Sequence, residues 1–405
     1  MSVSYESSAK AESSTVWLAK RVIALSGLAL IITVFFVMVP ALPEMANQFG
    51  RNDDGPFLAQ MVMGLPVFAM LFGAPVGGWI ADTIGMRLSL RISLLIYVAA
   101  GAVCLVAPNL TVLVVARLLL GLCSAAAATM ATALTADWYQ GAERNRILGY
   151  AHAVVLVYNI VMLASGGWLV DHIGWRAPSI YYLVGLGALV ATWFATGNRD
   201  SAVFVRTSHH AIDDDGHRHA TVWPLYLLAF LLAFGASMPT MQGPFLLTGA
   251  GVVSSAARGT ILEAMIITGA VASALYAPLR RHMRHSTLII ASGVSMGLGT
   301  ILTGMEGGNI NLITAGYVMT GFGYGVYIPV VSAIVLHMTS PVVRTRAVGM
   351  MNAAIMLATV ANPLLIKFLR RSLSLPQSVV VVGVALVLVG PLFVMLFRPD
   401  RRTSQ

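Results

Sequence analysis

The sequence GGWIADTIGMRLSLR (residues 77–91) joins two long apolar runs and is the stretch that most constrains the fold of the chain. Its glycines allow close approach of helices and a sharp turn. Asp82 lies where the first run is predicted to end, and a carboxylate at a helix end can cap the N-terminus of another helix. Arg87 and Arg91 are one helical turn apart, so they can share one acidic partner. The segment is therefore predicted to be a short, structured link between two helices.

The composition of the whole chain is that of a protein embedded in a lipid bilayer. Hydrophobic residues make up 58% of the chain before its 38 glycines are counted, and charged residues make up only 10%. In soluble domains, hydrophobic residues with glycine included make up about 45–50%, and charged residues about 25%. The net charge of +9 comes from short basic clusters between apolar runs, which is a topology signal and not a nucleic-acid surface. Cys104 and Cys123 lie inside apolar runs without the spacing of metal ligands, so no metal site is predicted.

Twelve apolar runs approach the length of about 20 residues that a helix needs to cross a bilayer. They lie near residues 22–43, 57–80, 89–107, 110–135, 146–168, 178–197, 222–247, 259–279, 286–304, 311–336, 343–368 and 377–397. The longest polar stretch separates six runs from six. We therefore expect a cytoplasmic tail, a six-helix unit, a cytoplasmic central loop, a second six-helix unit and a second tail, at 1–21, 22–197, 198–221, 222–397 and 398–405.

The basic residues set the expected orientation. If the N-terminus is cytoplasmic, 18 of the 25 Lys and Arg residues fall on the cytoplasmic side, 6 fall outside, and Arg117 lies within a run. Cytoplasmic loops are enriched in these residues. Both termini are therefore predicted to be cytoplasmic.

The two halves of the chain repeat with an offset of 200 residues. The sequence at 144–149 (RNRILG) is matched by that at 344–349 (RTRAVG), and Gly121 by Gly321. Transporters use such duplication to build two bundles that move about a central site, whereas a non-transporting receptor has no need for it. The predicted fold is an all-α integral membrane protein with twelve transmembrane helices in two pseudo-symmetric six-helix bundles.

The link at 77–91 resembles the G-x-x-x-D-x-x-G-x-R loop of the major facilitator superfamily, although Thr83 and Met86 occupy two positions that are usually basic. Its second-half counterpart (277–284) keeps basic charge but lacks the Asp and the Gly. The resemblance implies a conformational switch that latches the bundles. Its members would be Gly78, Asp82, Gly85, Arg87, Arg91 and Asp137.

Arg117 and Gly121 resemble the R-x-x-x-G motif of the same family. Arg117 lies about seven residues into its run, or roughly 10 Å deep. A central Arg costs about 2.5–3.5 kcal/mol on insertion scales, so it should face the bundle interior and have a partner. The resemblance implies a role in proton transfer or substrate binding. The alternative is that Arg117 snorkels to the outer interface.

Two carboxylates are candidates for proton coupling. Glu263 lies about five residues into the eighth run, and an intramembrane carboxylate is a functional candidate by default; the alternative is an interfacial pair with Arg258. Glu44 follows a P-x-x-P sequence (40–43) that resembles drug/proton antiporters of the superfamily, although prolines also simply end helices. The fifth run has Met-Leu at 162–163, where the antiporter motif expects Gly-Pro.

Several polar side chains within the runs could line a cavity, although packing hydrogen bonds are the commoner role for such residues. They are His152, Asn159, Gln242, Tyr324, Tyr327 and Asn352.

The resemblance implies a secondary active transporter, not an enzyme, which exports a drug or small metabolite by proton-coupled alternating access. The alternative is a proton symporter that imports an organic acid or sugar and binds an anionic group at Arg117. No cofactor is expected, because nothing resembles a nucleotide-binding loop. The expected partners are a small-molecule substrate, protons and lipid, with no nucleic acid. We expect a monomer in a bacterial cytoplasmic membrane.

Overall fold

The fold is entirely helical over the residues described by the computed structural model, which are 14–50, 54–195, 216–305, 309–340 and 343–397. Within these ranges, twelve helical segments are long and apolar enough to cross a membrane. The chain is therefore a multi-pass membrane protein. The predicted tail residues 1–13 and 398–405, and residues 198–215 of the predicted central loop (198–221), lie outside the described ranges.

The first six spans contain seven α-helices. They are α1 (Ser14–Phe36), α2 (Leu42–Phe49), α3 (Gly55–Ile84), α4 (Met86–Val106), α5 (Leu110–Trp138), α6 (Gly141–His172) and α7 (Val184–Ala195). Two 3₁₀ segments, Val39–Ala41 and Ala177–Leu183, continue α1 into α2 and lead into α7. The last six spans contain α8 (Gly216–Met241), α9 (Gly243–Gly249), α10 (Ser255–His282), α11 (His285–Gly304), α12 (Ile310–Met338), α13 (Arg344–Leu369) and α14 (Leu375–Phe397).

Several helices are longer than their apolar runs. The first span begins at Ser14, not at residue 22, because Lys20 and Arg21 stay helical beside Trp138 and Trp17. The helix α8 begins at Gly216, inside the predicted central loop. Charged residues at a helix end can bury their stems and keep their charges at the surface, so hydrophobicity alone does not mark where a helix stops.

The link at residues 77–91 is shorter than predicted. The helix α3 continues to Ile84 and α4 begins at Met86, so Gly85 alone makes the turn, with a φ of +87°. A positive φ is readily adopted only by glycine. Gly77 and Gly78, which we expected near the turn, are inside α3.

The helices form two bundles of the same design. In the N-terminal bundle α5 packs against α1, α3 and α4, and in the C-terminal bundle α12 packs against α8, α10 and α11. The glycines of the 200-residue repeat make equivalent contacts: a Cβ on Gly121 would lie 2.0 Å from the Pro66 carbonyl oxygen of α3, and one on Gly321 2.3 Å from the Met265 carbonyl oxygen of α10. The bundles meet where α6 packs on α10 and α3 on α13.

Candidate functional site

The two bundles touch where α6 packs on α10. At two glycines of this contact the backbones are too close to leave room for a side chain. A Cβ on Gly167 would lie 2.5 Å from the Ser255 carbonyl oxygen, and a Cβ on Gly259 would lie 2.8 Å from that of Leu163. The two helices therefore run antiparallel at this contact, so that a step of four residues towards the N-terminus of α6 matches a step of four residues towards the C-terminus of α10. Extended by one further turn, the same register would place residue 159 of α6 opposite residue 263 of α10.

Asn159 and Glu263 are buried polar groups with oxygens that lack donors. Asn159 is 5% exposed and Glu263 is 8% exposed. Among the described residues, Asn159 Oδ1 and Glu263 Oε1 have no hydrogen-bond partner. Leaving a buried polar atom unsatisfied costs about 1–3 kcal/mol, so each of these two oxygens destabilises the present arrangement of the helices.

Arg258, the alternative partner considered for Glu263, is bonded elsewhere. Its guanidinium forms an ion pair with Glu44 and donates to Ser255 Oγ at 2.6 Å and to the Thr248 hydroxyl at 3.0 Å. Glu44 also accepts from Ser255 Oγ at 3.0 Å. Because Glu44 follows α1 and Arg258 lies on α10, this ion pair ties the two bundles together. We call the face of the molecule that contains it the outer face, in the orientation predicted from the basic residues.

A second carboxylate at the outer face was missed in the sequence analysis. Asp171, in the last turn of α6, accepts hydrogen bonds from Ser254 Oγ at 2.7 Å and from the backbone N–H groups of Ser255 at 2.7 Å and Ala256 at 3.1 Å. It therefore caps the N-terminus of α10 from the opposite bundle.

Three amides form a buried network between the bundles. Gln60 of α3 and Gln242 exchange hydrogen bonds of 2.9 and 3.2 Å, and Gln242 Nε2 also donates to Asn362 Oδ1 of α13 at 2.9 Å. Gln242 was a predicted cavity residue, whereas Gln60 and Asn362 were missed. Their signal is an amide inside an otherwise apolar run.

Arg117 is held entirely inside the N-terminal bundle. Its side chain is 0% exposed and donates to the Val62 carbonyl of α3 at 3.1 Å, the Val34 carbonyl of α1 at 3.2 Å and the Tyr182 hydroxyl. Pro66 lacks the N–H that would bond Val62 in a regular helix, so Arg117 supplies the missing donor. Arg117 thus faces the bundle interior and has partners there, as predicted, and the snorkelling alternative is wrong because the side chain has no exposed surface.

The Major Facilitator Superfamily sequence profile matches residues 24–254 and 225–405, which together cover most of the chain. The chain belongs to this superfamily. Among solved structures, a bacterial homologue of the human lysosomal transporter Spinster, described as inward-facing and unoccupied, shares the fold with a TM-score of 0.73 and 17% identity, over 98% of this chain and 99% of that one. A peptide transporter POT in complex with sulfate gives a TM-score of 0.75 at 14% identity, over 95% of each chain.

Three curated superfamily relatives are similar over parts of the sequence. The multidrug transporter protein MdtP of Bacillus subtilis is 26% identical over 44% of this chain and 33% of its own length. The uncharacterized transporter EfpA of Mycobacterium tuberculosis is 26% identical over 71% and 54%. The multidrug resistance protein Stp of the same organism is 31% identical over 40% and 30%. The matches thus span between about a third and a half of these relatives.

The residues of the superfamily loop lie in the last turns of α3 and the first turns of α4. Asp82 and Asp137 are exposed at the ends of α3 and α5. Arg91 donates to the Thr192 carbonyl at 3.1 Å and lies 4.7 Å from the Trp193 ring, so it packs on α7 of its own bundle. A Cβ on Gly78 would meet nothing within 4 Å.

The remaining predicted cavity residues divide into two groups. His152 and Asn352 are exposed on α6 and α13, and His152 Nδ1 lies 2.9 Å from the Leu148 carbonyl oxygen of its own helix. Tyr324 and Tyr327 of α12 lie edge to face with ring centroids 5.8 Å apart, and the buried Tyr327 hydroxyl has no partner among the described residues. The structure therefore does not bring these four residues into one site.

Proposed function

We propose that the chain is a proton-coupled exporter of a drug or small metabolite that works by alternating access. The single observation that carries the proposal is the buried carboxylate of Glu263, whose Oε1 lacks a donor among the described residues and which lies on α10, the helix that packs on α6 of the other bundle. An intramembrane carboxylate is a functional candidate. The similarity to the multidrug relatives MdtP and Stp supports a drug-like substrate.

Proton loading at Glu263 would control the contact between α6 and α10. A proton on Glu263 supplies the donor that Asn159 Oδ1 lacks, so the protonated pair stabilises closure at the outer face. Loss of the proton sets a carboxylate against an amide oxygen and favours separation of the helices. Protons that enter from outside would thus close the outer face, and their release inside would free the protein to carry a solute outward.

The importer alternative has less support. It assigns the binding of an anionic substrate to Arg117, but the guanidinium of Arg117 is bonded to two backbone carbonyls and Tyr182 and has no exposed surface. Glu44, the second proton candidate, is paired with Arg258 at the outer face. We therefore assign the coupling proton to Glu263 and a closing role to Glu44. We further propose a monomer in a bacterial cytoplasmic membrane, with the termini inside and the halves divided within the central loop.

The direction of coupling tests this function. A growth comparison of bacteria with and without the protein, against a panel of antibacterial drugs, selects a solute. Proteoliposomes loaded with that solute then receive an inward or an outward proton gradient. An exporter of this kind drives solute against the direction of the proton gradient, whereas movement of solute with the protons would establish a symporter and overturn the proposal.

A further inference from the structure

The segment around Asp171 repeats the link that follows α3. Residues 77–87 read GGWIADTIGMR and residues 166–176 read GGWLVDHIGWR, with an offset of 89. Seven of the eleven positions are identical: both glycines, the Trp, the Asp, the Ile, the third Gly and the Arg. Asp171 therefore occupies the position of Asp82.

The two copies also have the same local structure at opposite faces. In each copy, the third glycine comes just after a helix and has a positive φ, which is +87° at Gly85 and +121° at Gly174. Because α3 and α6 cross the membrane in opposite directions, one copy lies at the inner face and the other at the outer face. This is the relation expected of the inverted repeats within each half of a superfamily transporter.

The partner helices are related by the same offset. Asp171 caps α10, which begins at Ser255, and α13 begins 89 residues later at Arg344. The N-cap residue of α10, Ser254, supplies its own oxygen, which accepts from the Ala257 N–H at 3.3 Å. The N-cap residue of α13 is Val343, which has no oxygen in its side chain. Val343 therefore gives α13 no side-chain cap of the kind that Ser254 gives α10, and Asp82 is the carboxylate related to Asp171 by the repeat.

The second glycine of each copy shows which face is engaged. A Cβ on Gly167 would lie 2.6 Å from the Ala256 Cα of α10, whereas a Cβ on the equivalent Gly78 would meet nothing within 4 Å. At this glycine, the outer copy is therefore packed against its partner helix, whereas the inner copy has open space.

We propose that residues 166–176 form an outer latch, a second copy of the inner link, and that Asp171 holds the outer face closed by capping α10. Charge-assisted hydrogen bonds to a helix N-terminus combine two favourable terms, the bond to an ionised acceptor and the helix dipole. The latch releases when the outer face opens, and Asp82 then engages α13. Asp171 is thus a positioning residue that sets the balance between the two states.

Spin-label distances measured by pulsed electron paramagnetic resonance test the latch without a substrate. In a background lacking Cys104 and Cys123, one pair of labels at Thr111 and Ser372 reports the outer face. A second pair at Gln140 and Arg281 reports the inner face. All four positions are exposed.

Asp171→Asn should raise the population of molecules with long outer distances, relative to those with short ones, about tenfold, because the charge and part of the cap are lost. The same variant should shorten the inner distances. Ser254→Ala removes one of the three bonds and should give a smaller shift in the same direction, while Asp82→Asn should shift both pairs the opposite way. Glu143→Gln, an exposed carboxylate at the other end of α6, is the matched control and should change nothing.

Unchanged outer and inner distances in Asp171→Asn, or in Ser254→Ala if the first variant does not fold, would overturn the latch. A shift of equal size in Glu143→Gln would also overturn it, because the effect would then be one of net charge. The distances do not depend on the transported solute, so failure of the latch and failure of the proposed exporter are distinguishable.

Discussion

Arg117 illustrates how a charge is accommodated at the scale of one residue. The kink at Pro66 leaves the Val62 carbonyl without its helical donor, and the guanidinium takes that place. One turn further along α5, the absence of a side chain on Gly121 lets the Pro66 carbonyl approach. The R-x-x-x-G spacing therefore fits the kinked helix beside it. The sequence shows that Arg117 needs a partner, but not that the partners are backbone carbonyls 55 and 83 residues away.

Substitution of Arg117 should therefore affect stability first. Arg117→Ala leaves the carbonyls of Val62 and Val34 buried without donors, at about 1–3 kcal/mol each, and we expect a large loss of thermal stability in detergent together with loss of transport. Arg117→Lys keeps the charge and part of the bonding, so its effect should be milder. Tyr182→Phe removes a single partner and is the matched comparison.

A full transport rate and an unchanged melting temperature in Arg117→Ala would contradict this account of the motif. If Arg117→Lys stabilised the protein normally but abolished transport, the planar guanidinium would have a direct role in solute binding.

At the scale of the element, the number and order of the spans could be predicted because lipid imposes a length and a composition on each helix. The ends could not, since residues such as Lys20 and Gly216 remain helical beyond the apolar region. The contact register could not be predicted either. Asn159 and Glu263 are each visible in the sequence as polar residues in apolar runs, but their alignment depends on how two glycine-lined helices from different bundles meet.

The α6–α10 contact gives an element-scale prediction with an adjacent control. A methyl group on Gly167 would overlap the backbone of Ser255 and Ala256, so Gly167→Ala should force the helices apart, favour the outward-open state and slow transport. Gly166→Ala places its Cβ 4.0 Å from Pro178, in ordinary contact, and should be neutral. Transport rates in proteoliposomes and the outer spin-label distances measure both effects.

Equal behaviour of Gly166→Ala and Gly167→Ala would show that the close approach of α6 and α10 does not limit the transport cycle. Loss of folded protein in both variants would instead point to a general need for glycine in this part of α6.

At the scale of the whole molecule, the proposed alternating access requires the contacts between the two bundles to break and re-form. The Asp171 cap, the Glu44–Arg258 ion pair and the Gln60–Gln242–Asn362 network all join the bundles towards the same face. Gln60 and Gln242 also line an open cavity of about 290 Å³. The basic residues Lys367, Arg370 and Arg371 are part of the same lining. Rocking of one bundle against the other must break these contacts together, so closure of the outer face should be cooperative.

The central claim is that Glu263 carries the coupling proton, and Glu263→Gln tests it most directly. Gln keeps the size of the side chain and can donate to Asn159, so it mimics the protonated state but cannot release a proton. In proteoliposomes we predict that the variant neither accumulates solute under an imposed pH gradient nor carries protons into the lumen, where a pH-sensitive dye would report them. Its outer spin-label distances should stay short, because a side chain that mimics the protonated state holds the outer face closed. Glu143→Gln should behave as the unaltered protein. Full gradient-driven accumulation by Glu263→Gln, accompanied by proton flux, would contradict the account and direct the search for the proton site to Glu44.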